Sequence, residues 1–193
     1  MNRSVPNLVF KWKIVVATLV FLCLVAVPFA SGTALADAQT IIKVESGQIT
    51  NCTLPVTVSI EGLPQDQSVK GFNMKMAYNP EALQYQDDSY QGGSITTGWL
   101  WAPVLKNNTD GTVEFSVAGA LKKPQSSATV MTFAFKIVGD GATQFTLPKL
   151  HLRDGNNVDI PLTTQISQAV LKDCQIISAP AVQTIDAGGI TVD

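Results

Sequence analysis

From Leu54 onward the apolar side chains fall on every second position, and this period of two constrains the fold more than any other feature of the chain. Leu54, Val56, Val58 and Ile60 make one such face; Phe72, Met74, Met76 and Tyr78 make the next. Leu83 and Tyr85 follow the turn Asn79-Pro80-Glu81, and Val113, Phe115 and Val117 follow the turn Asn107-Asn108-Thr109-Asp110-Gly111. Met131, Phe133, Phe135 and Ile137 form a long central strand that stops at Gly139-Asp140-Gly141. Phe145 and Leu147 come next, then a hairpin around Asp154-Gly155-Asn156-Asn157 leading to Val158 and Ile160, and a last strand with Ile166 and Val170. Successive strand side chains point to opposite faces, so each run reads as a half-buried strand. Turn residues recur at the spacing of about 8–12 positions expected of an all-β sandwich or barrel. No segment sustains a helical period, so the fold class is all-β. Pro55 cannot donate to a sheet ladder and predicts an edge position for its strand.

The N-terminus has a different character. Arg3, Lys11 and Lys13 precede an apolar run from Ile14 to Ala30, and small residues follow, ending Ala34-Leu35-Ala36. This is the pattern of a secretory signal peptide over residues 1–36, with cleavage before Asp37; an uncleaved membrane anchor is the alternative. Cys23 is preceded by Leu22 and lies deep in the apolar run, which excludes a lipidation site. The expected location is secreted or attached at the cell surface, and any membrane contact is through this segment alone. Residues 37–174 are read as one β-sandwich and residues 175–193, where the alternation fades into Ala-Pro-Ala and Asp-Ala-Gly-Gly, as a linker-like C-terminal tail, with a strand or a disordered segment as its alternatives.

The leader holds three of the 13 basic residues and none of the 15 acidic ones, so residues 37–193 are acidic on balance. Nucleic acid is excluded as a partner, because phosphate binding needs clustered Lys and Arg. Cys52 and Cys174, near the two ends of the exported domain, are expected to form a disulfide in an oxidising compartment, with two buried free thiols as the alternative. Their spacing does not fit a zinc site.

Catalytic chemistry finds little support. His151 has no second histidine or thiol cluster near it and reads as a solvated or satisfied side chain. There is no Gly-x-Ser-x-Gly elbow and no phosphate-binding glycine loop after a strand. Glu45, Glu61, Glu81 and Glu114 could pair across a cleft as in a glycosidase, but read better as solvent-facing charges. Asp154, Asn156 and Asp159 could offer oxygens to calcium, yet the run lacks the length and closing Glu of an EF-hand loop. No enzyme activity, cofactor or metal is expected.

Several segments, in order, are similar to the cohesin family. Cys52-Thr53-Leu54-Pro55-Val56-Thr57-Val58-Ser59-Ile60 resembles its Val-Pro-Val strand, and Lys70 to Leu83 its third strand and Tyr-Asp-Pro turn, with Asn79 in place of the Asp. Asp110-Gly111-Thr112-Val113-Glu114-Phe115 resembles its Asp-Gly-Thr hairpin, Met131 to Lys136 its Ile-Thr-Phe-Lys type strand, and Asp154 to Pro161 the turn before its last strands. The resemblance spans roughly residues 41–172. It implies a nine-stranded jelly-roll sandwich, related to carbohydrate-binding modules, that attaches a dockerin-type protein domain in polysaccharide-degrading or cell-surface assemblies.

Carried onto this sequence, the resemblance places partner-binding side chains at Asn73 and Lys75 on the third strand and at Glu114 and Ser116 on the sixth. The segment Ala118-Gly119-Ala120-Leu121-Lys122-Lys123 departs from the family's acidic, glycine-rich loop. A rival reading rests on Trp99 and Trp101, two residues apart on one strand and able to form a platform for a sugar ring of a polysaccharide.

Overall fold

Alternate burial of the apolar runs is what pairs the strands into layers, and the computed structural model, which describes residues 39–123 and 127–186, shows thirteen of them. In chain order they are β1 (Thr40–Ser46), β2 (Thr53–Glu61), β3 (Val69–Ala77), β4 (Leu83–Tyr85), β5 (Gln91–Gly92), β6 (Leu100–Trp101) and β7 (Leu105–Asn107). Then follow β8 (Thr112–Lys122), β9 (Ser127–Ile137), β10 (Gly141–Ala142), β11 (Thr146–Asp154), β12 (Leu162–Lys172) and β13 (Gln175–Asp186). The count exceeds the expected nine because several strands hold only two or three residues. The chain divides after Leu35, and the unit described here belongs to the part that begins at Ala36. The expected signal peptide lies outside the described residues.

Eight strands form one sheet in the order β10-β12-β1-β2-β9-β4, with β13 beside β12 and β5 beside β9. Five form the other, in the order β11-β3-β8-β6, with β7 also on β8. β1 and β12 run parallel and the remaining pairs antiparallel. Between the sheets lie Ile42, Leu54, Val56, Val58, Met74, Met76, Phe115, Met131, Phe135 and Phe145, all fully buried. Phe115 and Phe133 pack with ring centroids 4.8 Å apart, and Phe135 and Phe145 at 5.5 Å.

Two expectations need correction. Pro55 lies on an interior strand, since β2 pairs with both β1 and β9. It is tolerated because its ring nitrogen faces the end of β1: the Gly47 N–H donates to the Pro55 carbonyl (2.8 Å) one residue beyond the last strand position, so a single ladder bond is forgone. Val170 points outward and Ala169 and Leu171 inward, because a β-bulge between Gln168 and Val170 reverses the parity of β12. Val158, in the β11 hairpin, is likewise exposed.

The tail takes the strand alternative over its described residues. Residues 175–186 form β13, paired with β12 from Lys172↔Gln175 to Thr163↔Asp186. Its alternation is weak because an outermost strand is held by its backbone ladder and needs no continuous apolar face. The turn between β12 and β13 has positive φ at Asp173 (48°) and Cys174 (59°), and the turn before β2 has the same feature at Asn51 (51°) and Cys52 (54°). Both are two-residue turns of the mirror-image kind that matches strand twist. Cys52 and Cys174 are joined by a disulfide, so the bridge ties the tips of two tight turns together, with Cα atoms 5.0 Å apart.

Candidate partner-binding face

The inward set Phe72, Met74, Met76 on β3 and Val113, Phe115, Val117 on β8 forces the intervening residues of both strands outward. Asn73 lies opposite Ser116, and Lys75 opposite Glu114, so all four residues singled out in the sequence share one outer face. β11 adds a third column, with Arg153 opposite Gly71, His151 opposite Asn73 and Lys149 opposite Lys75. On the far side Leu100 of β6 pairs with Ala118, the Ala102 N–H donates to the Ser116 carbonyl (2.9 Å), and Leu105 of β7 pairs with Glu114. The outer face therefore reads in three rows: Arg153-Gly71-Ala118-Leu100, His151-Asn73-Ser116-Ala102 and Lys149-Lys75-Glu114-Leu105.

Hydrogen bonds knit the middle of this face. The Asn73 amide donates to Ser116 Oγ and, at 3.3 Å, to Glu114 Oε1, which also receives Lys149 Nζ at 2.8 Å. The Lys149 hydrogen bond, assisted by Asn73 and the charge of Lys75, holds the Glu114 carboxyl below its ordinary pKa against the opposing effect of burial. At the β11 edge, His151 Nδ1 is 2.9 Å from Asp159 Oδ2, and Arg153 Nε donates to Asp159 Oδ1 at 3.1 Å. Burial pushes Asp159 up, but His151 and Arg153 together outweigh it and leave the carboxyl below its usual range. A shallow depression of about 390 Å³ opens in the centre, floored by Gly71, Ser116 and Ala118 and walled by Leu100, His151 and Arg153.

The tryptophan platform is not present. Trp99 is 6% exposed and belongs to the core, and Trp101 is partly buried, its ring tilted 44° against Tyr90 at 5.2 Å. Trp99 packs directly over Gly119, where a Cβ would overlap its ring. That seat turns the indole inward and leaves Leu100, 83% exposed, as the outward residue. The carboxylates weighed as a glycosidase pair are dispersed. Glu114 is on the five-stranded sheet, whereas Glu45 and Glu61 are on the eight-stranded one, where Glu61 pairs with Lys43 at 2.6 Å. Asp154 accepts from the Asn156 and Val158 backbone N–H groups (2.9 and 2.8 Å), the role of a turn-forming carboxylate, and Asn157 takes a positive φ of 64°.

Sequence reasoning missed the contribution of β11 and the leucines of β6 and β7. Lys149-x-His151-x-Arg153 has the same period of two as the apolar runs, and that polar alternation was the available signal. Nothing comparable marks Leu100, whose exposure follows from the inward turn of the indoles, or Leu105, which is placed by its pairing with Glu114.

A family model described as Cohesin domain matches residues 38–171. No curated protein matches the chain. Among solved structures, a non-cellulosomal cohesin from the hyperthermophilic archaeon Archaeoglobus fulgidus is similar at 19% identity and a TM-score of 0.50, covering 67% of this chain and 87% of that one. The type II cohesin dyad from the adaptor ScaA scaffoldin of Acetivibrio cellulolyticus is similar at 16% identity and a TM-score of 0.55, covering 68% of this chain and 48% of the dyad chain. At these identities the solved structures support the fold, a jelly-roll sandwich, and the family rests on the match that runs from before β1 almost to the end of β12. The chain belongs to the cohesin domain family.

Proposed function

We propose that this chain is an exported, non-catalytic receptor module that holds a dockerin-type domain on the outer face of its five-stranded sheet, within an assembly acting on polysaccharides or built at the cell surface. The observation that carries the proposal is the convergence of Asn73, Lys75, Glu114 and Ser116 on one outer face, where Asn73 is hydrogen-bonded to Ser116 and Glu114 and where Asn73 and Ser116 line a shallow depression. Family membership supports a dockerin-type partner, and the leader together with the Cys52–Cys174 bridge supports export. Binding to glycans directly loses its sequence argument once Trp99 and Trp101 are packed inward.

Calorimetric titration of the protein against dockerin modules, with soluble polysaccharides in parallel, tests this reading. Substituting Gly71→Leu is a suitable block, because a Cβ there meets nothing closer than 3.7 Å and Gly71 lies in the depression. Dockerin binding that is lost in Gly71→Leu supports the proposal. Binding of polysaccharide alone, or of a dockerin undisturbed by Gly71→Leu, contradicts it.

A further inference from the structure

A sheet edge with unpaired N–H and C=O groups is a template for another strand, and folded proteins blunt such edges with short strands, proline, lysine or bulges. Among the described residues, the edges at β4 and β5, at β6 and β7, and at β11 are all blunted. β4 and β5, against β9, hold three and two residues, and β6 and β7, against β8, hold two and three. β11 carries Pro148, Lys149 and Arg153, and its ladder with β3 shifts register between Thr146 and Lys149 and between Arg153 and Asp154. The remaining edge is β13. It runs along one side of β12 while β1 and β10 share the other, and among the described residues no strand pairs with its free side.

β13 is blunted over its first half only. The β12–β13 ladder shifts register between Gln168 and Val170 and between Val170 and Leu171, opposite the stretch of β13 that also holds Pro180. Beyond it, Ala181-Val182-Gln183-Thr184-Ile185-Asp186 pairs residue for residue with Gln168 back to Thr163. This segment has no proline, glycine, lysine or arginine, and its one charged residue, Asp186, is the last. β13 also lies beyond residues 38–171, so its edge is an addition to the sandwich that the family match covers.

We propose that this free edge is a self-association site, where β13 of a second copy pairs antiparallel over Ala181 to Ile185 and joins the two eight-stranded sheets into one. In an antiparallel ladder alternate residues turn both N–H and C=O to a given side, so about half of these residues offer both groups outward. A two-fold axis perpendicular to the sheet sets such an edge against its own copy, donor to acceptor. With the axis at Gln183, the centre of the segment, Gln183 faces Gln183 of the second copy, Val182 faces Thr184 and Ala181 faces Ile185. No charge meets a like charge. Asp186 then faces Pro180 of the second copy, which puts the two Asp186 positions about 20 Å apart at about 3.4 Å per residue. Exposed charges at that separation are largely screened at physiological salt. A second copy is thus the occupant whose fit follows from β13 itself. The pairing leaves Asn73, Lys75, Glu114 and Ser116, on the other sheet, open on both copies.

Sedimentation velocity of the full chain, expressed with its leader, over about a hundredfold range of micromolar concentrations should show a shift from one copy to two. Val182→Lys/Thr184→Lys is the matching variant. Both positions pair with the partly buried Ser167 and Gln165 and avoid the buried Thr164 and Ile166 columns. Across the axis each new lysine faces a lysine, which should weaken association at least about tenfold. Hydrogen exchange of the wild type is a second readout that needs no variant: the Ala181 to Ile185 amides should slow at least about fivefold from the lowest to the highest concentration, with β11 unchanged. Association lost in the folded lysine variant, or edge amides that slow with concentration if the variant misfolds, supports the proposal. A chain that stays single throughout overturns it and leaves the edge to a strand of another protein. Association that the lysines do not weaken, or exchange independent of concentration, overturns it as well, by moving the contact to another surface.

Discussion

Single residues decide which side of each strand meets the core. Trp99 and Trp101 do share a side, as their spacing requires, but the spacing is silent on which side, and Gly119 settles it by leaving room for the Trp99 ring. Gly119→Ala forces that ring to move and is expected to destabilise the fold by about 1–3 kcal/mol, measured by urea denaturation. Gln168 is a second such residue. Its amide accepts from the Phe145 N–H (2.9 Å) and donates to the Phe145 carbonyl (2.6 Å), serving as a substitute strand where the chain passes from β10 to β11. Gln168→Leu leaves both backbone groups without these partners, and a loss of about 1–3 kcal/mol is expected in the same measurement. No pattern of residue types announces a glutamine in that role. Glu114 gives a pH signature. Its lowered pKa means its contribution is present above the ordinary carboxylate range and lost as pH falls through the lowered value. Wild type should therefore exceed Glu114→Gln in stability near neutrality, by no more than about 1 kcal/mol for so accessible an ion pair, with the gap closing in acid.

At the level of elements, the apolar runs of β2, β3, β8 and β9 were legible because burial alternates over Leu54–Ile60, Phe72–Met76, Val113–Val117 and Met131–Ile137. β12 and β13 were less so. The bulge at Gln168 breaks the parity of β12, and β13 lies at the edge of its sheet, where backbone pairing holds it without a repeating apolar pattern. The candidate partner face was half legible for the same reason: β3 and β8 are defined by their buried neighbours, whereas β6 and β7 are too short to show any period. The disulfide joins the turns leading into β2 and β13. Its loop of 122 residues makes the chain-entropy contribution large, and Cys52→Ala/Cys174→Ala is expected to cost about 2–5 kcal/mol. Thermal unfolding of the double variant checks this, and binding through the five-stranded sheet should survive in whatever fraction stays folded.

Across the whole molecule, β13 returns the chain to the end of the sheet where β1 begins. Asp186 pairs with Thr163, next to the Thr40↔Leu162 pair, so the described chain enters and leaves at the same end of the eight-stranded sheet. The ends of the described chain and the disulfide thus belong to one sheet, and the face that holds Asn73, Lys75, Glu114 and Ser116 belongs to the other. On the proposed docking reading, the partner covers one sheet and leaves the disulfide and the ends of the described chain on the other. Amide chemical-shift mapping of the isotope-labelled protein with a bound dockerin module addresses that division of labour directly. Perturbations concentrated on β3, β8 and β11, with Gly71, Asn73, Ser116 and Lys149 among the largest, are the expected result. A footprint centred on β1, β2 and β12 would contradict the account.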